Sequence, residues 1–244
     1  MRRQLYIYRR TWAELGAAVL EPFMYLLTLG IGLGKLVGHA PGLPHVSYAT
    51  YVAPGLLAMA VMNAATNETI FGAFARLRLE KIYDVVVATP MSVADIARSE
   101  FAVATARGLL AGVGFLGVMA AFGLVHTATA LLVIPAAVVV ALAFATAGLV
   151  VATYTRDFSD FQWVQLVMLP MFLFATTFYP LSVYPRPIQL AVECLPLYHA
   201  ITLTREPALG TIGSGAIVAV AYLCAMTVIC WWFAVRRLRR ALIQ

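Results

Sequence analysis

Charged side chains are scarce in this sequence, and their scarcity excludes an ordinary soluble domain. Asp, Glu, Lys and Arg make up 11% of the 244 residues, whereas a soluble domain contains about 25%. Apolar residues make up 62%, against about 45–50% in soluble domains. We therefore expect the hydrocarbon of a membrane, not water, to be the main solvent of this chain.

Cysteine and histidine are also rare, and their positions exclude several kinds of site. Cys224 and Cys230 fall within one apolar run and Cys194 stands apart, so neither a disulfide framework nor a zinc motif is formed.

The glycines before Lys35 resemble a phosphate loop, but Leu36 stands where such a loop requires Ser or Thr. No nucleophile, base and orienting residue come together. We therefore predict no catalytic, cofactor or metal site.

Long apolar runs with few charged residues are abundant and predict the fold class. A helix that crosses a membrane needs about 20 apolar residues. Six runs of that length occur, at about 17–38, 52–73, 102–125, 128–152, 161–181 and 214–235. The sequence predicts an all-α membrane protein with six transmembrane helices, organised as a single domain over 1–244.

Basic residues are distributed unevenly between the loops and predict the orientation of the spans. Short cytoplasmic loops retain Lys and Arg. With the N-terminus inside, the inner side holds Arg2, Arg3, Arg9, Arg10, Arg76, Arg78, Lys81, Arg98, Arg156, Arg236, Arg237, Arg239 and Arg240. The outer side holds Lys35, Arg186 and Arg205. Both termini are therefore expected in the cytoplasm, and the net charge of +6 is expected to face anionic lipid rather than nucleic acid.

The N-terminal segment 1–16 has a helical periodicity that separates apolar from basic residues. Leu5, Tyr8 and Trp12 fall on one arc, and Arg2 and Arg9 on another. This pattern predicts an elbow helix that lies in the membrane interface. A basic tail that only orients the first span is the alternative.

The longest cytoplasmic connection, 74–101, mixes charged and apolar residues and predicts a short amphipathic helix. Pro90 disfavours helix at Thr89, and Ser92 with Asp95 predicts a capping box at the start of the next helix. Apolar residues outside the bilayer need a covering surface, so we predict a docking site for another protein, with an ordinary loop as the alternative. The residues assigned to this coupling contact are Arg76, Arg78, Glu80, Lys81, Tyr83, Asp84, Thr89, Pro90 and Ser92.

Prolines interrupt an apolar segment on the outer side, at 182–213. Pro187 suits the first turn of a helix, and Pro196 would interrupt that helix one or two turns later. The backbone freed at these points must find partners within the protein, because lipid offers none. We predict short interfacial or re-entrant helices before the last span.

Polar residues occur inside the spans, where a charge costs about 2.5–3.5 kcal/mol on insertion scales. They are Glu21, Asn63, Asn67, Glu68 and Arg107. One interpretation is a polar pathway or gate that faces the bundle interior. The other is structural pairing, for example of Glu68 with Arg107, or snorkelling at the ends of spans.

Small residues recur at every fourth position of two spans. They are Gly30, Gly34 and Gly38 in the first span and Gly108 and Gly112 in the third. This spacing places them on one helix face and predicts close packing between helices.

Four short motifs, taken in order, resemble the integral membrane subunits of type-2 ABC exporters, in particular the branch of the nodulation-factor (lipo-oligosaccharide) exporter permease. They are Ala53-Pro54-Gly55-Leu56-Leu57, Ala88-Thr89-Pro90-Met91-Ser92, Phe178-Tyr179-Pro180-Leu181 and Leu195-Pro196-Leu197-Tyr198-His199. The resemblance covers nearly the whole chain. It implies an elbow helix, six spans, a cytoplasmic coupling helix between spans two and three, and external re-entrant helices.

The resemblance also implies partners and a function. Two permease copies, identical or closely related, would pair around a pathway, and two separate ATPase subunits, which use ATP and Mg²⁺, would dock on the coupling helices. The candidate pathway residues then also include Phe178, Tyr179, Tyr198 and His199. The alternative for the aromatic residues is an interfacial belt, in which their rings lie at the level of the lipid head groups. The expected location is the bacterial inner membrane.

The substrate implied by the resemblance is an amphiphile such as a lipo-oligosaccharide or a lipid-linked saccharide. Export of drugs or antibiotics by the same kind of permease is an alternative. An ATP-independent secondary transporter or an intramembrane lipid enzyme is a different class, and the sequence shows neither a clear internal repeat nor a convergent polar site for one.

Overall fold

The computed structural model describes residues 16, 19–40, 43–76, 92–155, 157 and 159–242. Within them it contains five helices that are long and apolar enough to cross a membrane. A sixth apolar helix, at the position of the predicted fifth span, has 15 residues. The predicted all-helical membrane architecture is thus confirmed, and the number of six spans stays a prediction.

The described residues form eight helices along the chain. They are α1 (Val19–Val37), α2 (Tyr48–Asn67, continued as a π-helix over Glu68–Gly72), α3 (Val93–Ala121), α4 (Val133–Tyr154), α5 (Asp160–Phe174), α6 (Arg186–Glu193), α7 (Pro196–Leu209) and α8 (Ser214–Leu242). Two antiparallel strands, β1 (His39–Ala40) and β2 (Leu43–Ser47), connect α1 to α2 and were not predicted.

The start of α3 follows the sequence prediction. The Ser92 hydroxyl accepts a hydrogen bond from the Asp95 amide, and the Asp95 carboxylate accepts one from the Ser92 amide, which is the predicted capping box. Residues 77–91 of the coupling segment, and all of the elbow segment 1–16 except Gly16, lie outside the described residues.

Helix α5 ends at Phe174, although the apolar pattern predicted a span up to about residue 181. Thr176 adopts a left-handed conformation with φ of 63°. The Thr177 hydroxyl donates a 3.1 Å hydrogen bond to the Phe172 carbonyl and closes the turn. Because a left-handed residue cannot continue a right-handed helix, the chain turns here while its sequence is still apolar.

Helix α2 forms the centre of the bundle, and α3, α4 and α7 pack around it. Of the apolar stretch of α2, 83% is buried, against 17% of the apolar stretch of α8. Val52, Leu56 and Leu57 are completely buried. The most buried helix is therefore enclosed by protein, and the helices around it face the lipid.

Two glycines of α3 allow three helices to approach closely, as their spacing predicted. A Cβ atom on Gly108 would lie 2.8 Å from the Ala141 Cβ and 3.2 Å from the Ala65 Cβ. A Cβ atom on Gly112 would lie 2.8 Å from the Val61 Cγ2. Only glycine leaves room for α2 and α4 at this distance from α3.

The outer surface of the bundle is strongly apolar along α5 and α8. Trp163 and Val167 of α5 are 69% and 66% exposed, and Ile217 and Val228 of α8 are 73% and 68% exposed. Such surface is rare on water-soluble monomers. It suits contact with lipid acyl chains.

The segment 182–213 contains two short helices separated at a proline, as predicted. Pro187 occupies the first turn of α6, and α7 begins at Pro196. Helix α7 packs on α2 and α8. The Thr204 hydroxyl donates a 3.0 Å hydrogen bond to the Pro54 carbonyl of α2, and so connects the two helices.

Candidate functional site

Three of the predicted pathway residues line one cavity between α1, α2 and α5. Glu21, Asn63 and Asn67 share this space, whose volume is about 110 Å³. Gln165 of α5 completes its polar lining and was not singled out from the sequence. The signal was present, because two amides, Gln162 and Gln165, stand in an otherwise apolar predicted span, where polar side chains are unusual. We refer to this space as the polar cavity.

The remaining polar residues of the spans form an ion-pair network on another side of α2. Arg107 Nε lies 3.0 Å from Glu68 Oε2. Arg76 Nη2 lies 3.2 Å from Glu68 Oε1 and also pairs with Glu100 of α3. The side chains of Glu68 and Glu100 are only 8% and 7% exposed. The structural pairing considered for Glu68 and Arg107 is therefore present.

The network places one predicted coupling residue in a structural role. The Arg76 guanidinium connects the end of α2 to the first turns of α3 through Glu68 and Glu100. Ser92 caps α3. Both contacts lie within the chain, so a role of Arg76 or Ser92 in partner docking stays a prediction. The other coupling residues, Arg78, Glu80, Lys81, Tyr83, Asp84, Thr89 and Pro90, lie outside the described residues.

The aromatic candidates lie around the turn after α5 and the start of α7. The Phe178 ring is buried and lies 5.3 Å from the ring of Phe172, which lines the polar cavity. Tyr179 is half-exposed, and the Tyr198 ring lies edge-on to His199 with centroids 5.3 Å apart. Phe178 is thus the member of this group that contacts the wall of the polar cavity.

The His199 ring connects three helices on the outer side of the bundle. It stacks on Tyr222 of α8 at 4.0 Å between centroids, and its Nε2 donates a 2.9 Å hydrogen bond to the Glu193 carbonyl. Burial lowers the pKa of His199 below its ordinary value, because the charged form loses its hydration. His199 therefore joins α6, α7 and α8 and is not directed into the polar cavity, which it does not line.

Arg205 of α7 is an unpredicted polar centre. Its Nε donates to the Tyr51 carbonyl (3.2 Å), its Nη1 to the Tyr51 hydroxyl (3.1 Å), and its Nη2 to the Thr176 carbonyl (2.8 Å). Its guanidinium carbon also lies 4.0 Å from the centre of the Tyr51 ring. The sequence indicated only an external basic residue, since its partners are distant along the chain. Arg205 connects α7, α2 and the left-handed turn after α5.

Replacement of Arg205 by Lys is expected to destabilise the protein by about 2 kcal/mol, since hydrogen bonds to charged groups contribute about 1.5–3 kcal/mol each. A lysine ammonium lacks the planar fork that reaches the carbonyl groups of Tyr51 and Thr176 together. Thermal unfolding of the purified protein in detergent measures the effect. Arg186→Lys is the matched control, because Arg186 is exposed and donates to Gln189 in its own helix. Equal losses for both variants would contradict the assigned role.

Within the described residues, no group of three or more His, Cys, Asp or Glu side chains is arranged to hold a metal ion. The polar groups brought together by the fold are amides, carboxylates and guanidinium groups. They can line a passage for polar groups and connect helices.

The chain is similar to known membrane proteins over most of its length. The family described as ABC-2 type transporter matches residues 1–209. Nodulation protein J of Rhizobium leguminosarum bv. trifolii is 34% identical over 233 residues, which cover 95% of this chain and 88% of that protein. Nodulation protein J of Neorhizobium galegae is 30% identical over 247 residues, covering 98% of this chain and 93% of that protein.

A third relative, the inner membrane transport permease YadH of Escherichia coli, is 26% identical over 242 residues, which cover 94% of this chain and 90% of that protein. The match thus extends over the apolar helices, the ion-pair network and the polar cavity. The chain is a multi-pass membrane protein that belongs to the ABC-2 type transporter family, and it is a permease of that family.

Proposed function

We propose that this chain is the permease subunit of an ATP-driven exporter and forms the pathway for an amphiphile with a saccharide head and a lipid tail. The proposal includes a second permease copy and two ATPase subunits, with both termini in the cytoplasm and the complex in the bacterial inner membrane. The observation that carries it is the similarity over nearly the whole chain to proteins named nodulation protein J.

The polar cavity supports a pathway for a polar head group. Its amides, from Asn63, Asn67 and Gln165, can donate and accept hydrogen bonds with sugar hydroxyl groups. Its volume of about 110 Å³ is smaller than the about 300–1,000 Å³ of ordinary ligand sites. We infer that the pathway widens when α5 moves relative to α2. Only Phe161 and Phe172 of α5 are buried, so little packing opposes such a movement.

The ion-pair network supports a connection between the cytoplasmic segment and the bundle. Arg76 stands at the point where the chain leaves α2 for the predicted coupling segment, and its partners Glu68 and Glu100 belong to two packed helices. Movement of the coupling segment by a docked ATPase would be transmitted through these charges to α2 and α3. ATP and Mg²⁺ would bind the ATPase subunits.

The proposal is tested with the permease and its ATPase subunits reconstituted together in lipid discs. A lipo-oligosaccharide is expected to stimulate ATP turnover, and a hydrophobic drug is not. Charge reversal of Arg78 and Lys81 is expected to lower the stimulated turnover about tenfold or more, because like charges at a contact cost several kcal/mol. Arg76 is not replaced, since reversal of its charge would also disrupt the ion-pair network.

Arg239→Glu provides the matched control, because Arg239 is an exposed arginine near the end of α8. This variant is expected to keep normal turnover, and both variants should insert into the membrane equally well. Stimulation by the drug alone would contradict the proposed substrate class. Normal stimulation in the Arg78 and Lys81 variant would contradict the proposed coupling contact, and transport without any ATPase would contradict the proposed class of transporter.

A further inference from the structure

A second, larger space lies on the other side of α5 from the polar cavity. This apolar groove has a volume of about 620 Å³ and runs between α4 and α5, with Ile70 of α2 and Met226 of α8 also in its lining. Its walls on α4 and α5 include Phe144, Val151, Val164, Val167 and Met171. Met168 lines both spaces, so α5 separates them. Because its lining is predominantly apolar, the groove suits a hydrocarbon ligand rather than a sugar.

The length of the apolar groove corresponds to one leaflet of a membrane. Its lining on α5 extends from Asp160 to Met171, which is about 16 Å at 1.5 Å per residue. The hydrocarbon core of a bilayer is about 30 Å thick, so the groove spans roughly half of it. Trp163 and Val167 line the groove and are 69% and 66% exposed, so it opens sideways onto the lipid-facing surface.

One end of the apolar groove is polar and adjoins basic residues. Tyr154 and Asp160 line this end. The Arg237 guanidinium carbon lies 3.8 Å from the centre of the Tyr154 ring, and Arg240 follows three residues later on the same side of α8. The Asp160 carboxylate accepts a 3.2 Å hydrogen bond from the Asp157 amide in the turn before α5. Asp160 is the charged residue that lines the groove, and Arg237 and Arg240 form a cationic rim beside it that can bind a head group.

We propose that the apolar groove binds one acyl chain of an anionic phospholipid from the cytoplasmic leaflet, with the lipid phosphate at Arg237 and Arg240. The assignment to the cytoplasmic leaflet depends on the proposed function, which places both termini in the cytoplasm. Basic residues near a membrane surface attract anionic lipid by about 1 kcal/mol each. A second permease copy packed groove to groove is the poorer occupant, because a two-fold axis through the groove and along the membrane normal would bring two cationic rims together at one depth.

The binding is tested with the purified permease alone, so that the result is independent of ATP-driven transport. The protein is delipidated, mixed with equal amounts of phosphatidylglycerol and phosphatidylethanolamine, and examined by native mass spectrometry. The wild type is expected to retain phosphatidylglycerol at least about fivefold better, which corresponds to about 1 kcal/mol. Arg237→Gln is expected to remove most of this preference. Arg239→Gln, an exposed arginine at a different position around α8, should keep it.

A large side chain that fills the apolar groove tests whether the acyl chain binds there. Ala147 lines the groove, and Ala147→Phe is expected to reduce retention of both lipids about tenfold, because excluded methylene groups contribute about 0.8 kcal/mol each. Ala225→Phe is the matched control, since Ala225 is exposed on α8. If Ala147→Phe does not fold, Val164→Phe from the α5 wall replaces it.

Three results would overturn the proposal. Equal binding of the two phospholipids by the wild type would remove the role of the cationic rim. Equal lipid retention by Ala147→Phe and Ala225→Phe would place the acyl chain elsewhere. Conversion of a dimeric mass to a monomeric one by Ala147→Phe, at unchanged lipid retention, would make the groove an interface between copies.

Discussion

Replacement of Glu68 by Gln is expected to destabilise the protein by about 2–3 kcal/mol. Removal of one partner of a fully buried ion pair costs about 3–5 kcal/mol, and the lower value here reflects the 34% exposure of the Arg107 side chain. The Glu68 carboxylate contacts both Arg107 and Arg76. The neutral amide of glutamine can accept a hydrogen bond but cannot balance the charge of either guanidinium.

A double-mutant cycle with Glu68→Gln and Arg107→Gln measures this interaction. We expect the double variant to be more stable than the sum of the single effects predicts, with a coupling energy of about 1–3 kcal/mol. The matched control is the pair of Asp95 and Arg98, which also lie 3.0 Å apart but are 42% and 69% exposed. Its coupling energy should stay below about 1 kcal/mol, as for other exposed pairs. Equal coupling in the two cycles would contradict the structural role of the network.

Replacement of Gly108 by Leu is expected to cost about 3 kcal/mol or more, because overpacking of a close-packed interior costs about 1–3 kcal/mol and sometimes exceeds it. Even a Cβ atom at this position would lie 2.8 Å from the Ala141 Cβ and 3.3 Å from the Val61 carbonyl oxygen. The longer leucine side chain would therefore force α2 or α4 away from α3.

Gly117→Leu in the same helix is the control, because nothing lies within 4 Å of a Cβ atom there. The yield of monodisperse protein and its thermal unfolding in detergent should fall for Gly108→Leu and stay near the wild type for Gly117→Leu. Similar behaviour of the two variants would show that the three helices do not pack as closely as described. Gly108→Ala should give an intermediate result, since it adds only the Cβ atom.

Features that depend on composition or on neighbouring residues were predictable from the sequence. The membrane environment follows from the lack of charge, and the capping box of α3 follows from Ser92 and Asp95, which are adjacent within one helical turn. The break between α6 and α7 follows from Pro196, which cannot continue a helix. The resemblance to type-2 ABC exporter permeases likewise rested on short local motifs and is confirmed by the family match.

The candidate site was only partly predictable, because its residues meet across large distances along the chain. Glu21, Asn63 and Asn67 were singled out as polar residues in spans, but nothing local indicated that they share a cavity with Gln165. For Glu68 and Arg107 the sequence left a gate and a structural pair as equal alternatives. The packing of α3 against α2 places them 3.0 Å apart.

The sequence by itself determined that the chain resides in a membrane, where most of its helices begin and end, and that Gly108 and Gly112 permit close packing. Those properties depend on local chemistry and on periodicity. The same spacing was misleading at Gly38, which follows α1 with a φ of 76° and would have nothing within 4 Å of a Cβ atom. The end of α5 was decided by tertiary structure, because the left-handed Thr176 is held by Arg205 from α7 through a contact that no local pattern encodes. The separation of the polar cavity from the apolar groove was decided in the same way, since only the packed position of α5 divides the two spaces.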